Sequence, residues 1–249
     1  MKIIMLIVML ISSIYATEMK KVLFYTTDSN INNFKSLKIS FDRYLQQFGL
    51  YEFQPFSDKS TFERYLTSDN LIVILSSWHY QQISKTYNLQ AKLVGKKQNS
   101  ITNRIILVGQ KNMPLKGVVT SAYDKEYARK TLDKLADNAD LRVLVVPKEI
   151  DALMSVGFGM SNFALVSQDS LTLLKEINPM LADNLTIYKK SDPVYRMLLA
   201  YSGAENKKLI ELFLNMGKDK ESKDILNMIG IDGMQELTPV DLRRLGGVK

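Results

Sequence analysis

Short apolar runs alternate with stretches of helical period along the chain. Residues 21–25 (KVLFY) predict a first strand, and Phe34, Leu37, Phe41, Leu45 and Phe48 then share one helical face that Gly49 stops. Residues 51–56 predict a strand and 60–66 a short helix opened by a Ser60 cap. Residues 71–75 (LIVIL) predict a fully buried strand, with a helix over 78–87. Such alternation implies strand–helix–strand units on a mainly parallel sheet. Strands at 89–94 and 104–108 have no helix between them, so they are expected to pair antiparallel, with Pro114 and Gly117 punctuating the exit. A second set follows: strand 118–120, helix 124–137, a buried strand at 141–146 (LRVLVV), helix 149–154, strand 163–166, helix 170–177 and strands 185–188 and 195–201. The end is helical, with Leu209, Leu212, Phe213 and Met216 on one face, Ile225, Met228 and Ile229 on the next, and Thr238-Pro239 opening a last helix. Helices of this kind pack back onto the first set. The expectation is an α/β fold of two lobes, residues 17–108 with 195–249 and residues 109–194, joined by a two-strand hinge near 108–114 and 188–195. Hinge closure around a ligand belongs to the known repertoire of domain motions.

The first residues decide the compartment. Lys2, the apolar run 3–11 (IIMLIVMLI), then Ser12 to Ala16 and the polar Thr17-Glu18 form a secretory signal, with cleavage expected after Ala16. The run is too short to span a bilayer, which needs about 20 apolar residues. The chain has no cysteine, which excludes disulfides, thiolate metal sites, a cysteine nucleophile and a lipid anchor on cysteine. An exported protein without an anchor is retained by an outer membrane, so the expected location is a Gram-negative periplasm.

The net charge of +7 comes from scattered pairs such as Lys20-Lys21, Lys96-Lys97 and Lys189-Lys190, read as solvated surface that can still draw in an anion. No basic–aromatic cluster points to nucleic acid. No GxSxG elbow, HExxH pair or phosphate-binding P-loop is present, and the single histidine cannot build a multi-histidine metal site. No enzymatic activity and no cofactor are therefore expected.

Three stretches carry a resemblance: 70–83 (NLIVILSSWHYQQI), 115–135 (LKGVVTSAYDKEYARKTLDKL), and 151–181 with its VGFGMSNFALVSQDSL segment. The tail NMGKDKESKDILNMIGIDGMQELT adds to them. Their order resembles the type II periplasmic solute-binding proteins, in the phosphonate/phosphate-type branch of ABC-transporter receptors. The resemblance implies a monomer that shuts two lobes on a small, anionic solute and docks on a membrane permease. The alternative it leaves open is a ligand-sensing subunit docking on a membrane receptor.

Ligands of open α/β sheets bind beyond the carboxyl ends of the strands. Ser76, Ser77, Trp78, His79 and Tyr80 stand there after the 71–75 strand. Trp78 and Tyr80 serve equally as core anchors or as flat covers with a polar edge. Thr120, Ser121 and Tyr123 form the best anion turn, with ordinary capping by Ser121 or Asp124 as the other reading. Asn162, Ser167 and Gln168 are further candidates, and Tyr25, Thr26 and Thr27 close the opposite wall. Asn162 stands where the family carries an acid, and Asn70-Leu71 likewise lacks one. An amine-bearing phosphonate is therefore disfavoured, which leaves phosphate, another oxyanion or an uncharged solute.

Overall fold

The computed structural model describes residues 19–27, 31, 33–67, 70–137 and 139–246, so the expected signal segment lies outside the described residues. Strand β1 (Lys20–Tyr25) shows why the first half folds as a sheet with two covered faces. Val22 and Phe24 enter one core, Leu23 and Tyr25 the other, as the two-residue period of a strand requires. Helix α1 (Phe34–Gln46) is capped by Asn33, whose side chain accepts from Ser36 N, and it buries Leu37, Phe41 and Leu45. Strand β2 (Tyr51–Pro55) lies parallel to β1. Helix α2 (Lys59–Arg64) is capped by Asp58, which accepts from Thr61 N, and not by Ser60. The cap lies two residues before the expected one, and the Ser60 hydroxyl itself donates to Asp58 Oδ1 at 2.8 Å. Strand β3 (Ile72–Leu75), helix α3 (Ser77–Ile83) and strand β4 (Gln90–Lys96) complete this portion.

The chain then enters a second sheet with β5 (Thr102–Gln110), β6 (Lys116–Ser121), helix α4 (Lys125–Leu135) and β7 (Asp140–Val145). Helix α5 (Glu149–Gly157), β8 (Phe163–Ser167), helices α6 (Gln168–Ile177) and α7 (Pro179–Asp183), and the long β9 (Leu185–Tyr195) follow. It returns through β10 (Leu198–Tyr201), α8 (Lys207–Asn215), α9 (Lys220–Met228), β11 (Gly233–Glu236) and α10 (Pro239–Leu245). The sheet orders are β11-β4-β10-β3-β1-β2 and β7-β6-β8-β5-β9, giving two α/β lobes. Leu209, Phe213, Ile225 and Leu226 of α8 and α9 pack on the first sheet, against Val22 and Phe24.

Three expectations change. Strands β4 and β5 do not pair; β4 lies between β10 and β11, and β5 between β8 and β9. Residues 102–108, expected in the first lobe, are therefore hydrogen-bonded into the second sheet. The chain crosses at 97–101 and again at 196–197, where Arg196 N donates to Ile101 O at 3.0 Å. Strand β7 is not buried. It is the edge of its sheet, and Leu144 and Val145 are exposed. An apolar run does not say whether a second neighbour will cover it. Strand β11 was not expected; the end of the chain read as helical, with Gly230 closing the helix before it. Among the described residues no helix is long and apolar enough to cross a membrane.

Candidate functional site

The carboxyl ends of β1 and β3 in the first lobe face those of β6 and β8 in the second, and side chains from both lobes meet in between. Trp78 spans the gap. It starts on α3 but packs with Ile105, Leu107, Val119 and Tyr123 of the second lobe, and only 4% of it is exposed. Its ring lies 5.9 Å from Tyr123 and 5.5 Å from Tyr127. Its indole Nε1 is buried and has no hydrogen-bond partner among the described residues.

Behind Trp78, His79 is fully buried and stacks on the indole at 5.2 Å. Burial chiefly pushes its pKa down, against the pull of Glu63, so the ring is held neutral. Its Nε2 then donates to Glu63 Oε1 at 2.8 Å.

Ion pairs and hydrogen bonds close the lobes on one another. Lys59 Nζ on α2 donates to Asp124 Oδ2 at 2.8 Å across the gap, and its ammonium sits 5.7 Å from the Trp78 ring centre. Burial alone would raise the Asp124 pKa, but Lys59 and the Tyr127 N–H hold it below the usual carboxylate range. Lys148 Nζ reaches back to Ile31 O at 2.9 Å. At the hinge, Arg196 Nη1 donates to Asp169 Oδ2 at 2.5 Å.

Of the spaces left between the lobes among the described residues, two border Trp78. A central cavity of about 40 Å³ is lined by Ser77, Trp78, Tyr123, Ser167 and Arg196, among others. That is room for only a few waters. Beside it a solvent-open groove of about 910 Å³ runs past Lys59, Trp78, Gln82, Asp124, Tyr127 and Lys190. Trp78 lines both.

Solved structures share this fold over nearly the whole chain. PhnD1 from Prochlorococcus marinus, in complex with methylphosphonate, superposes with a TM-score of 0.72 at 13% identity, over 92% of this chain and 96% of that one. XAC2383 from Xanthomonas citri, bound to ATP, gives 0.70 at 15% identity over 93% and 96%. A binding-protein component of an ABC phosphonate transporter from Pseudomonas aeruginosa gives 0.66 at 13% identity over 92% and 86%. The chain has the fold of the type II periplasmic binding proteins. No protein-family model matches the sequence, and no curated protein does.

In this binding-protein fold the expected site residues separate into two groups. Ser77, Trp78, Tyr123 and Ser167 line the central cavity. Thr26 and Ser76 join hydroxyls at 3.0 Å at the ends of β1 and β3, beside it. The others line neither space. Tyr25 packs on Phe62 and His79. Thr27 is buried. The Tyr80 hydroxyl donates to Leu89 O at 3.1 Å and accepts from Ala91 N at 3.2 Å, bracing β4 away from the gap. Thr120 is buried, its hydroxyl 3.1 Å from the Ala152 and Phe163 carbonyls, and Ser121 donates to Leu165 O at 3.0 Å. Asn162 Oδ1 accepts from Val118 N at 2.8 Å, at the amino ends of β6 and β8 and so on the far side from the gap. Gln168 is exposed and lines neither space.

Sequence reasoning did not single out Lys59, Tyr127, Glu149, Asp169 or Arg196. Tyr123 just precedes α4 and Tyr127 stands in its first turn, and their rings meet at 5.6 Å. The other four are charged residues that local pattern reads as surface.

Proposed function

We propose that the protein is a monomeric solute receptor of an ABC-type uptake system. It takes a small solute against Trp78, shuts by rotation about the strands crossing at 97–101 and 196–197, and presents the shut form to a membrane permease. The observation that carries this is the Trp78 indole N–H. A buried donor without an acceptor costs about 1–3 kcal/mol. An acceptor entering from the groove would relieve that cost only when the lobes are shut, which is the differential binding that closure requires. The binding-protein fold and the signal-like first residues support a periplasmic receptor. The sensing alternative uses the same shut form and differs in the membrane partner that meets it.

Trp78 is the single tryptophan of the chain, so its emission reports the gap directly. A screen of purified protein against sugars, amino acids, nucleobases and oxyanions should find a solute that shifts this emission and raises the melting temperature. Trp78→Phe, which keeps a ring but removes the N–H, should weaken that solute about 3- to 10-fold, the worth of one hydrogen bond. If the bound solute responds equally to wild type and to Trp78→Phe, the site lies elsewhere. Silence across the whole screen counts against a receptor.

A further inference from the structure

Glu149 is 1% exposed and sits at the amino end of α6, directly behind Ser167 of the central cavity. Its Oε1 accepts from Ser167 N at 2.8 Å and its Oε2 from Ser167 Oγ at 2.5 Å, and the Ser170 hydroxyl also donates to Oε2. Backbone N–H and hydroxyl donors converging at a helix start are the arrangement that holds an oxyanion. Here the protein supplies the carboxylate itself.

Several other anion-binding devices around the gap are engaged in the same way. The amino end of α4 is capped by Asp124, which accepts from Tyr127 N at 2.8 Å. Lys59 is held by Asp124, and Arg196 by Asp169, which also lies 3.5 Å from Lys97. The hydroxyls of Thr120 and Ser121 are committed to backbone carbonyls. Among the described residues the cation that lines the central cavity, Arg196, is already paired with Asp169, and Glu149 stands behind Ser167, so a phosphate entering there would meet carboxylates first; Lys190 lines only the groove. Trp78 Nε1 still asks for an acceptor, and Tyr123, Tyr127, Ile105 and Val194 offer apolar surface around it.

From this geometry we infer that Glu149 is a resident stand-in for a ligand anion, and that the site therefore selects a solute without net negative charge, one with an acceptor oxygen or nitrogen for Trp78 and an apolar or aromatic body. This rests on the solute-binding reading and specifies its ligand class.

Two measurements test it. Inorganic phosphate and methylphosphonate are titrated into the wild-type protein, followed by Trp78 emission and calorimetry. No saturable binding is expected. Tight binding of either with an emission change would overturn the inference while leaving the receptor reading standing. Glu149→Ala is then melted with acetate, which matches the deleted side-chain atoms, and with acetamide, its uncharged isostere. Acetate should give a saturable rise in melting temperature and acetamide none. If the variant does not fold in plain buffer, recovery of folded protein with acetate but not acetamide is the same support. An equal response to both compounds, or to neither, overturns the stand-in role. The acetate response does not depend on the natural solute, so it is read even where the receptor proposal fails.

Discussion

Asp124 does two things that substitution can separate. Its Oδ1 caps α4 by accepting from Tyr127 N at 2.8 Å, and its Oδ2 pairs with Lys59 across the gap at 2.8 Å. Asparagine caps a helix about as well as aspartate, so Asp124→Asn keeps the cap and removes the charge. At 2.8 Å and an effective dielectric of about 20, the gross attraction is roughly 6 kcal/mol. The Lys59 and Asp124 side chains keep 30% and 21% exposure, so water screens the pair and some desolvation opposes it. The net worth falls to about 1–2 kcal/mol, between a surface pair and a buried charged hydrogen bond. That is a factor of about 5–30 in the balance between shut and open lobes.

The assay is a double-mutant cycle with Lys59→Met, which keeps the apolar stem over Trp78. Urea unfolding gives stability, and acrylamide quenching of Trp78 gives the exposure of the gap. The single variants should each quench more readily, and the double variant should be no worse than the weaker single one. Because the Asp124 pKa is lowered in the folded state, its contribution is present above the usual carboxylate pKa. It is lost as the pH falls through the lowered value, so acid should open the gap in wild type and change Asp124→Asn less. A coupling energy below about 0.3 kcal/mol, within the scatter of independent sites, would refute the latch.

Three further outcomes follow from the packing. Phe41 is fully buried and stacks on Phe53 at 3.9 Å, so Phe41→Ala should cost about 3–5 kcal/mol in urea unfolding. Gly117 has a φ of +109°, and a Cβ there would meet Asn162 Oδ1 at 2.1 Å; Gly117→Ala should destabilise by about 1–3 kcal/mol, with melting temperature as the measure. His79 is the only histidine, so one imidazole resonance can be followed by NMR, and its midpoint should lie below the usual value of 6.5 because burial lowers it. Stability held by the neutral ring is full above the unfolded pKa of about 6.5 and declines as the pH drops toward the folded value. A His79→Gln variant should lose that slope, and an unchanged slope would assign it to other groups.

The elements and much of their order were legible in the chain before any folding. The alternation of Val22, Leu23, Phe24 and Tyr25 between two cores, the face Leu37–Phe41–Leu45, and the Thr238-Pro239 start of α10 are local patterns of period or capping. Local patterns are written in neighbouring residues and survive any arrangement of the whole. The placement of Trp78, Ser77, Tyr123 and Ser167 beside a cavity was legible for the same reason, since the carboxyl end of a strand can be located from its run. Which partner each polar group meets was set by the folded arrangement. Thr120, Ser121 and Tyr80 look like ligand groups until the carbonyls that consume their hydroxyls come into place. Lys59 and Asp124 stand 65 residues apart, and Glu149 and Ser167 stand 18 apart. The edge position of β7 and the membership of β5 in the second sheet are likewise choices of neighbour. Hydrophobic period is a property of a segment, whereas the satisfaction of a donor or a charge belongs to a pair, and the pair is made only when the chain closes on itself.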